Sequence, residues 1–125
     1  MTHVVLIEDD PSMRHLLKIF LEMEQFKTTL IDHFEPNAVI AELKSSQPDF
    51  LLMDVHLNGA NGLDLLTVVR EQQGLKNLKI LMISGEDCED ACLTAGANGF
   101  LLKPYAPTDL LNWLRSKDLS LSNLS

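Results

Sequence analysis

The feature that most constrains the fold of this chain is an alternation. Short apolar, β-rich runs at 4–7, 27–31, 50–57, 79–85 and 99–104 are each followed by a segment whose apolar residues recur at helical spacing. Met13, Leu16, Leu17, Phe20 and Met23 mark a first helix over about 11–25, with Asp10 as N-cap and Pro11 as the first helical residue. Pro36 opens a second helix carrying Val39, Ile40 and Leu43. Asn58 to Gly62 reads as a loop by composition, and Leu63, Leu65, Leu66 and Val69 give a third helix that closes near Gly74. A fourth helix is expected over about 86–94 with Gly96 as its stop, and Pro107-Thr108-Asp109 begins the last, supplying Leu110, Leu111 and Leu114 to the core.

Strands separated by helices run parallel, because each crossover must return the chain to the same edge of the sheet. Five β/α units are too few for an eight-stranded barrel. The expectation is therefore a three-layer α/β sandwich around a five-stranded parallel sheet of flavodoxin-like order 2-1-3-4-5. A chain of 125 residues has the size of one domain and can bury roughly two-thirds of its unfolded surface. That domain is expected over 1–117, followed by a tail at 118–125 in which Ser alternates with Leu119, Leu121 and Leu124 without a clear period. The whole stretch from Ser116 onward reads as frayed or as the start of a linker.

Composition excludes some functions. A net charge of -8 leaves no obvious basic surface for nucleic acid. No apolar run approaches the roughly 18 residues of a membrane span, and Met1-Thr2-His3 before the first strand is no secretory leader, so a cytoplasmic protein is expected. Cys88 and Cys92 share their four-residue spacing with Ala91 and Ala95, which suggests a small-residue stripe facing the core with both thiols reduced. A disulfide within one helix is geometrically poor, and His3, His15, His33 and His56 are too scattered to complete a zinc site.

The chemistry gathers at one rim. In an open parallel sheet ligands bind beyond the carboxyl ends of the strands. The order 2-1-3-4-5 brings Glu8 and Asp9, ending the first strand, beside Asp54, ending the third, with Ser84 and Lys103 from the fourth and fifth. Alone, Asp54 could be a turn cap, but a cap does not explain the convergence. Two carboxylates about 4 Å apart repel by about 4 kcal/mol at an effective dielectric of 20, so three together call for a cation. All-oxygen ligands suit Mg²⁺, or Mn²⁺ in its place. With that charge neutralised by the ion and Lys103, Asp54 could attack a phosphoryl group and Ser84 could bond one of its oxygens.

These residues, Glu8-Asp9, Asp54, Ser84 and Lys103-Pro104, in this order on five β/α units, resemble the receiver domain of two-component response regulators, the chemotaxis regulators among them. The likeness covers about 2–117, and 61–66 and 95–100 also look like the family's loop and helix segments. The resemblance implies that Asp54 is the phosphoacceptor and that Glu8, Asp9, Asp54 and the His56 backbone carbonyl hold Mg²⁺. By the same resemblance Ser84 and Lys103 contact the phosphoryl group, and the Lys103–Pro104 bond is cis. It further implies a switch in which Ser84 moves toward the phosphate and Phe100 turns inward behind it, altering the surface of helix four, strand five and helix five. The partners implied are a histidine kinase or histidine phosphotransfer protein as donor, and a downstream protein target or output domain. The chain would be a monomer or a phosphorylation-dependent homodimer, a switch rather than an enzyme, either standing alone or part of a longer regulator.

Two positions depart from the family's habit: Asn58 stands where Pro is frequent, and Ala106 lacks the oxygen favoured at an N-cap. His56 and Glu86, two residues beyond Asp54 and Ser84, are expected to flank the path of a hydrolytic water and set the lifetime of the phosphoaspartate. Two other readings differ in class. One is a receiver-like binding module that works without phosphorylation. The other is an aspartate-nucleophile phosphatase of the haloacid dehalogenase type, against which His56 stands where that family places its second Asp.

Overall fold

The computed structural model describes residues 1–118. Five parallel strands, β1 (His3–Ile7), β2 (Lys27–Ile31), β3 (Phe50–Asp54), β6 (Lys79–Ser84) and β7 (Gly99–Leu102), form one sheet in the order β2-β1-β3-β6-β7. Counted within that sheet alone, this is the expected 2-1-3-4-5. The two remaining strands, β4 (His56–Leu57) and β5 (Ala60–Asn61), make a small antiparallel ribbon where a plain loop was expected. Gly59 turns it, at a φ of 78° that glycine adopts without a Cβ penalty.

Alternation along each strand assigns the helices to the two faces. Val5, Ile7, Leu51, Met53, Ile80 and Met82 point to one side. They pack against Val39 and Leu43 of α2 (Pro36–Ser46), Leu65, Leu66 and Val69 of α3 (Gly62–Arg70), and Cys92 of α4 (Glu89–Thr94). Val4, Leu6, Phe50, Leu52, Leu81 and Ile83 point to the other side. There they meet Leu17 and Leu21 of α1 (Pro11–Met23) and Leu110, Leu111 and Leu114 of α5 (Pro107–Lys117). Both faces of the central strands are covered, which is why β1 is apolar from Val4 to Ile7 and β3 from Phe50 to Met53. Each fully buried Leu or Ile contributes about 1.5–3 kcal/mol relative to exposure.

Local chemistry sets the helix ends, and several differ from expectation. Asp10 Oδ1 accepts from the Ser12 and Met13 amides at 2.9 and 3.3 Å, as a cap should. α1 stops at Met23, short of Gln25, because Gln25 turns left-handed (φ 74°) and the Phe26 amide reaches back to the Leu21 carbonyl at 3.0 Å. α3 ends at Arg70; the stretch up to Gly74 is finished by a 3₁₀ turn, Gln73–Leu75. α4 starts at Glu89, three residues after the expected Glu86; the intervening turn holds the Glu86 amide on the Ser84 hydroxyl at 3.0 Å. At the other end, Ser116 and Lys117 are helical in α5 and not frayed; Leu119, Leu121 and Leu124 lie outside the described residues. Ala106 provides no side-chain cap to α5, but its amide donates to Asp109 Oδ2 at 3.1 Å.

Trp113 of α5 stands edge-on to Phe50, centroids 5.8 Å apart and planes at 66°. It also lies against Gly99, where an added Cβ would come within 2.4 Å of the indole nitrogen. This contact is at the amino ends of β3 and β7, away from the rim where the acids gather.

Candidate functional site

Glu8, Asp9 and Asp54 each bring a carboxylate oxygen within 4.8 Å of the others. Glu8 and Asp54 are buried, at 5% and 6% exposure, so water cannot fully screen their mutual repulsion. Each is fixed through its backbone. Arg14 Nη1 donates to the Glu8 carbonyl at 2.9 Å, and the residue after Asp54, Val55, donates its amide to Ile83 at 2.8 Å across the sheet.

Gly62 seals the back of the site. Its amide donates to the Val55 carbonyl at 2.7 Å, and a Cβ there would fall 2.2 Å from the Asp54 carbonyl oxygen and 2.8 Å from Val55 Cα. Only glycine lets α3 start so close to the Asp54 backbone. Asn61 Oδ1 caps that helix by accepting from the Leu63 amide at 2.8 Å.

The cation expected at the rim is in contact. Lys103 Nζ donates to Asp54 Oδ2 at 2.7 Å and lies 3.9 Å from Glu8 Oε1. It follows β7 and is held by its own amide, which donates to the Ser84 carbonyl at 2.8 Å; the Lys103–Pro104 bond after it is cis. Burial pulls the Lys103 ammonium down, but the bond to Asp54 and the charges of Asp54 and Glu8 outweigh it, so its pKa stands above the ordinary lysine value. Three carboxylates against one ammonium still leave excess negative charge. Glu8 bears the result: burial first, then its bond with Asp54 and the Asp54 charge, push its pKa up to about 8. Tyr105, just beyond the cis bond, is likewise pushed up to about 12, by burial and then by Glu8 and Asp54.

Ser84 ends β6 fully buried, with its hydroxyl oxygen engaged by the Glu86 amide. His56 and Glu86 face each other across the mouth of the site, Nε2 to Oε2 at 3.9 Å, both well exposed. Phe100 sits farther in, half-buried beside Met82 in the strand register and packed against the face covered by α2, α3 and α4. The structure thus brings Glu8, Asp9, Asp54 and Lys103 into one cluster, sets Ser84, His56 and Glu86 at its border, and keeps Phe100 behind them.

Sequence reasoning gave no role to Gly62 against the Asp54 carbonyl, to Arg14 behind Glu8, or to Tyr105. Gly62 and Arg14 act through backbone contacts that no periodicity reports. For Tyr105 the signal was adjacency to Lys103-Pro104.

Residues 4–115 match the response regulator receiver domain family. The chain belongs to that family. Receiver domains are signalling switches of two-component systems, not enzymes of the ordinary kind. The DNA-binding response regulator MtrA of Mycolicibacterium smegmatis is 30% identical over 117 residues, which are 91% of this chain and 49% of that protein. The chain spans about half, or less, of the length of the first curated relatives it matches. The chemotaxis protein CheY of Pseudomonas aeruginosa is 31% identical over 82% of this chain and 84% of its own length. Among solved structures, the chemotaxis protein CheY4 of Vibrio cholerae superposes with a TM-score of 0.83 at 24% identity, covering 94% of this chain and 99% of that one. The receiver domain of the sensor histidine kinase PA1611 of P. aeruginosa, with a magnesium ion coordinated in its active-site cleft, gives 0.80 at 22%, covering 92% and 95%. Both share this receiver's fold. No helix among the described residues is long and apolar enough to cross a membrane.

Proposed function

We propose that residues 1–117 act as a phosphoacceptor receiver in the cytoplasm, taking a phosphoryl group onto Asp54 from a phosphohistidine of a histidine kinase or histidine phosphotransfer protein. The observation that carries this reading is the cluster itself: a buried carboxylate at a strand end, two further acids within 4.8 Å, and an ammonium at 2.7 Å.

The donor set fits Mg²⁺. It consists of oxygens alone, and the upward shift of Glu8 marks a negative charge that a hard cation relieves. Glu8, Asp9 and Asp54, with the His56 backbone carbonyl, are the residues that would hold it, and Mn²⁺ suits the same ligands. When bound, the ion supplies positive charge to the phosphoryl oxygens. Asp54 Oδ attacks phosphorus from the side opposite the donor imidazole; the new O–P bond forms as the P–N bond breaks and the imidazole leaves. Lys103 then exchanges its carboxylate partner for a phosphoryl oxygen, keeping one charge-assisted bond throughout. Ser84 has a hydroxyl proton to give to another oxygen, and Phe100 follows the space it vacates. The consequence is a changed surface over α4, β7 and α5, read by a downstream protein or an attached output domain, or by a second copy of the receiver. An apolar groove of Met13, Leu16, Leu17, Phe20 and Tyr105 opens beside Lys103 and gives a donor protein footing next to Asp54.

Incubation with Mg²⁺ and acetyl phosphate, followed by intact mass measurement, tests this. The wild type is expected to gain one phosphoryl group and Asp54→Ala none; equal labelling of the two defeats the proposal. His56 and Glu86 border the water's route to phosphorus, so His56→Ala and Glu86→Ala are expected to change the dephosphorylation rate. An unchanged rate in both removes that role.

A further inference from the structure

Outside the acidic cluster, Cys88 and Cys92 carry chemistry that phosphoryl transfer does not use. They were expected on one helix, where a disulfide is poorly placed. The helix in fact begins at Glu89, and Cys88 is its N-cap, at φ −128° and ψ 34°, with its side chain capping no backbone amide and facing Cys92. The two sulfurs lie 3.9 Å apart, and the Cys92 amide donates to the Cys88 carbonyl at 3.0 Å. Four residues at helical rise separate the two Cα atoms by about 6 Å, inside the roughly 4.4–6.8 Å span of disulfides. Closing the sulfurs to a bonded distance of about 2.05 Å is left to side-chain rotation and to the N-cap backbone, which has non-helical latitude. Cys92 is fully buried, and Cys88 is partly exposed at the edge of the same core, so one residue of the pair is within reach of solvent and the other is sheltered.

We infer that Cys88 and Cys92 are a redox modification site, a thiol pair that a hydroperoxide converts to an intramolecular disulfide. The Cys88 sulfur, as thiolate, attacks one peroxide oxygen; the O–O bond breaks, and the departing hydroxide takes up a proton to leave as water. Cys88 then carries a sulfenic acid. The Cys92 sulfur gives up its proton and attacks the Cys88 sulfur; the S–S bond forms, the S–O bond breaks, and hydroxide leaves with that proton as a second water. In sum two thiols and hydrogen peroxide give one disulfide and two waters, with sulfur oxidised and peroxide reduced. Burial, and then Cys88, push the Cys92 pKa up to about 12, which leaves Cys88 as the sulfur that meets the peroxide. The bridge would tie the connection leaving Ser84, whose hydroxyl receives the Glu86 amide, to the body of α4.

The test treats the whole native protein with hydrogen peroxide near neutral pH, then counts free thiols and measures mass and oligomer size. Both thiols are expected to disappear together, with loss of two hydrogens, a peptide linking 88 to 92, no covalent dimer, and full reversal by dithiothreitol. Cys88→Ser, which places a good capping residue at the N-cap, is expected to slow Cys92 oxidation at least tenfold. Cys92→Ala is expected to halt at a Cys88 sulfenic acid that a sulfenic-acid trap captures. Stable oxygen addition with no loss of both thiols, covalent dimers in place of the internal bridge, or undiminished Cys92 oxidation in Cys88→Ser overturns the inference.

Discussion

Glu8 should make Mg²⁺ binding depend on pH in a range where ordinary carboxylates no longer titrate. With a pKa of about 8 in the metal-free protein, roughly nine molecules in ten carry a Glu8 proton at pH 7. An incoming cation must displace that proton. The apparent affinity at pH 7 is then about tenfold below its plateau above pH 9, a difference of about 1.4 kcal/mol, and log K rises with a slope near one below pH 8. The sign for folding follows from the same shift. Glu8 is raised in the folded state above its unfolded value of 4.5, so it contributes stability to the metal-free protein that is present in full below about pH 4.5 and lost as pH rises through about 8. Calorimetric Mg²⁺ titrations at pH 7 in two buffers of different ionisation enthalpy give the protons released, expected near 0.9. A carboxyl-carbon NMR titration of the metal-free protein identifies the group, with Glu8 moving near pH 8 and remaining silent below pH 6. Titration of Glu8 below pH 5, or no proton release at pH 7, would refute the argument that burial and Asp54 act together on this carboxyl.

Gly62→Ala places a Cβ 2.2 Å from the Asp54 carbonyl and 2.8 Å from Val55 Cα, both backbone atoms that cannot swing aside. Destabilisation at or above the upper end of about 1–3 kcal/mol is expected in denaturant unfolding, with weaker labelling of Asp54 in the molecules that fold. Lys103→Met removes the only ammonium found beside the acids among the described residues, and the rate of labelling by acetyl phosphate is expected to fall about 10²-fold, measured by intact mass. Trp113 lies against Phe50, four residues and about 13 Å along β3 from Asp54, so Mg²⁺ titration is expected to leave its emission essentially unchanged; a large quench would mean that the binding signal crosses the sheet.

What could be read from the sequence follows from the range of the forces involved. Strand and helix periodicity record burial, and burial is set by the fold as a whole, so the alternation pointed to a parallel doubly wound sheet, and the 2-1-3-4-5 order chosen for it said which strand ends share a rim. Glu8, Asp9, Asp54 and Lys103 were legible for that reason: each ends a strand, and topology carries strand ends to known places. Helix starts were less legible: α4 begins at Glu89 and not at Glu86, and the Glu86 amide is taken up in the turn by Ser84 Oγ, a bond that no periodicity reports. Close approaches were not legible at all. Gly62 looked like one more loop glycine, yet a Cβ on it would fall 2.2 Å from Asp54 O and 2.8 Å from Val55 Cα, both far inside van der Waals range. The same distinction explains the cysteines. Their four-residue spacing brings them to one side of α4, but whether two sulfurs can meet depends on the backbone at Cys88, which lies at the N-cap and not within the helix.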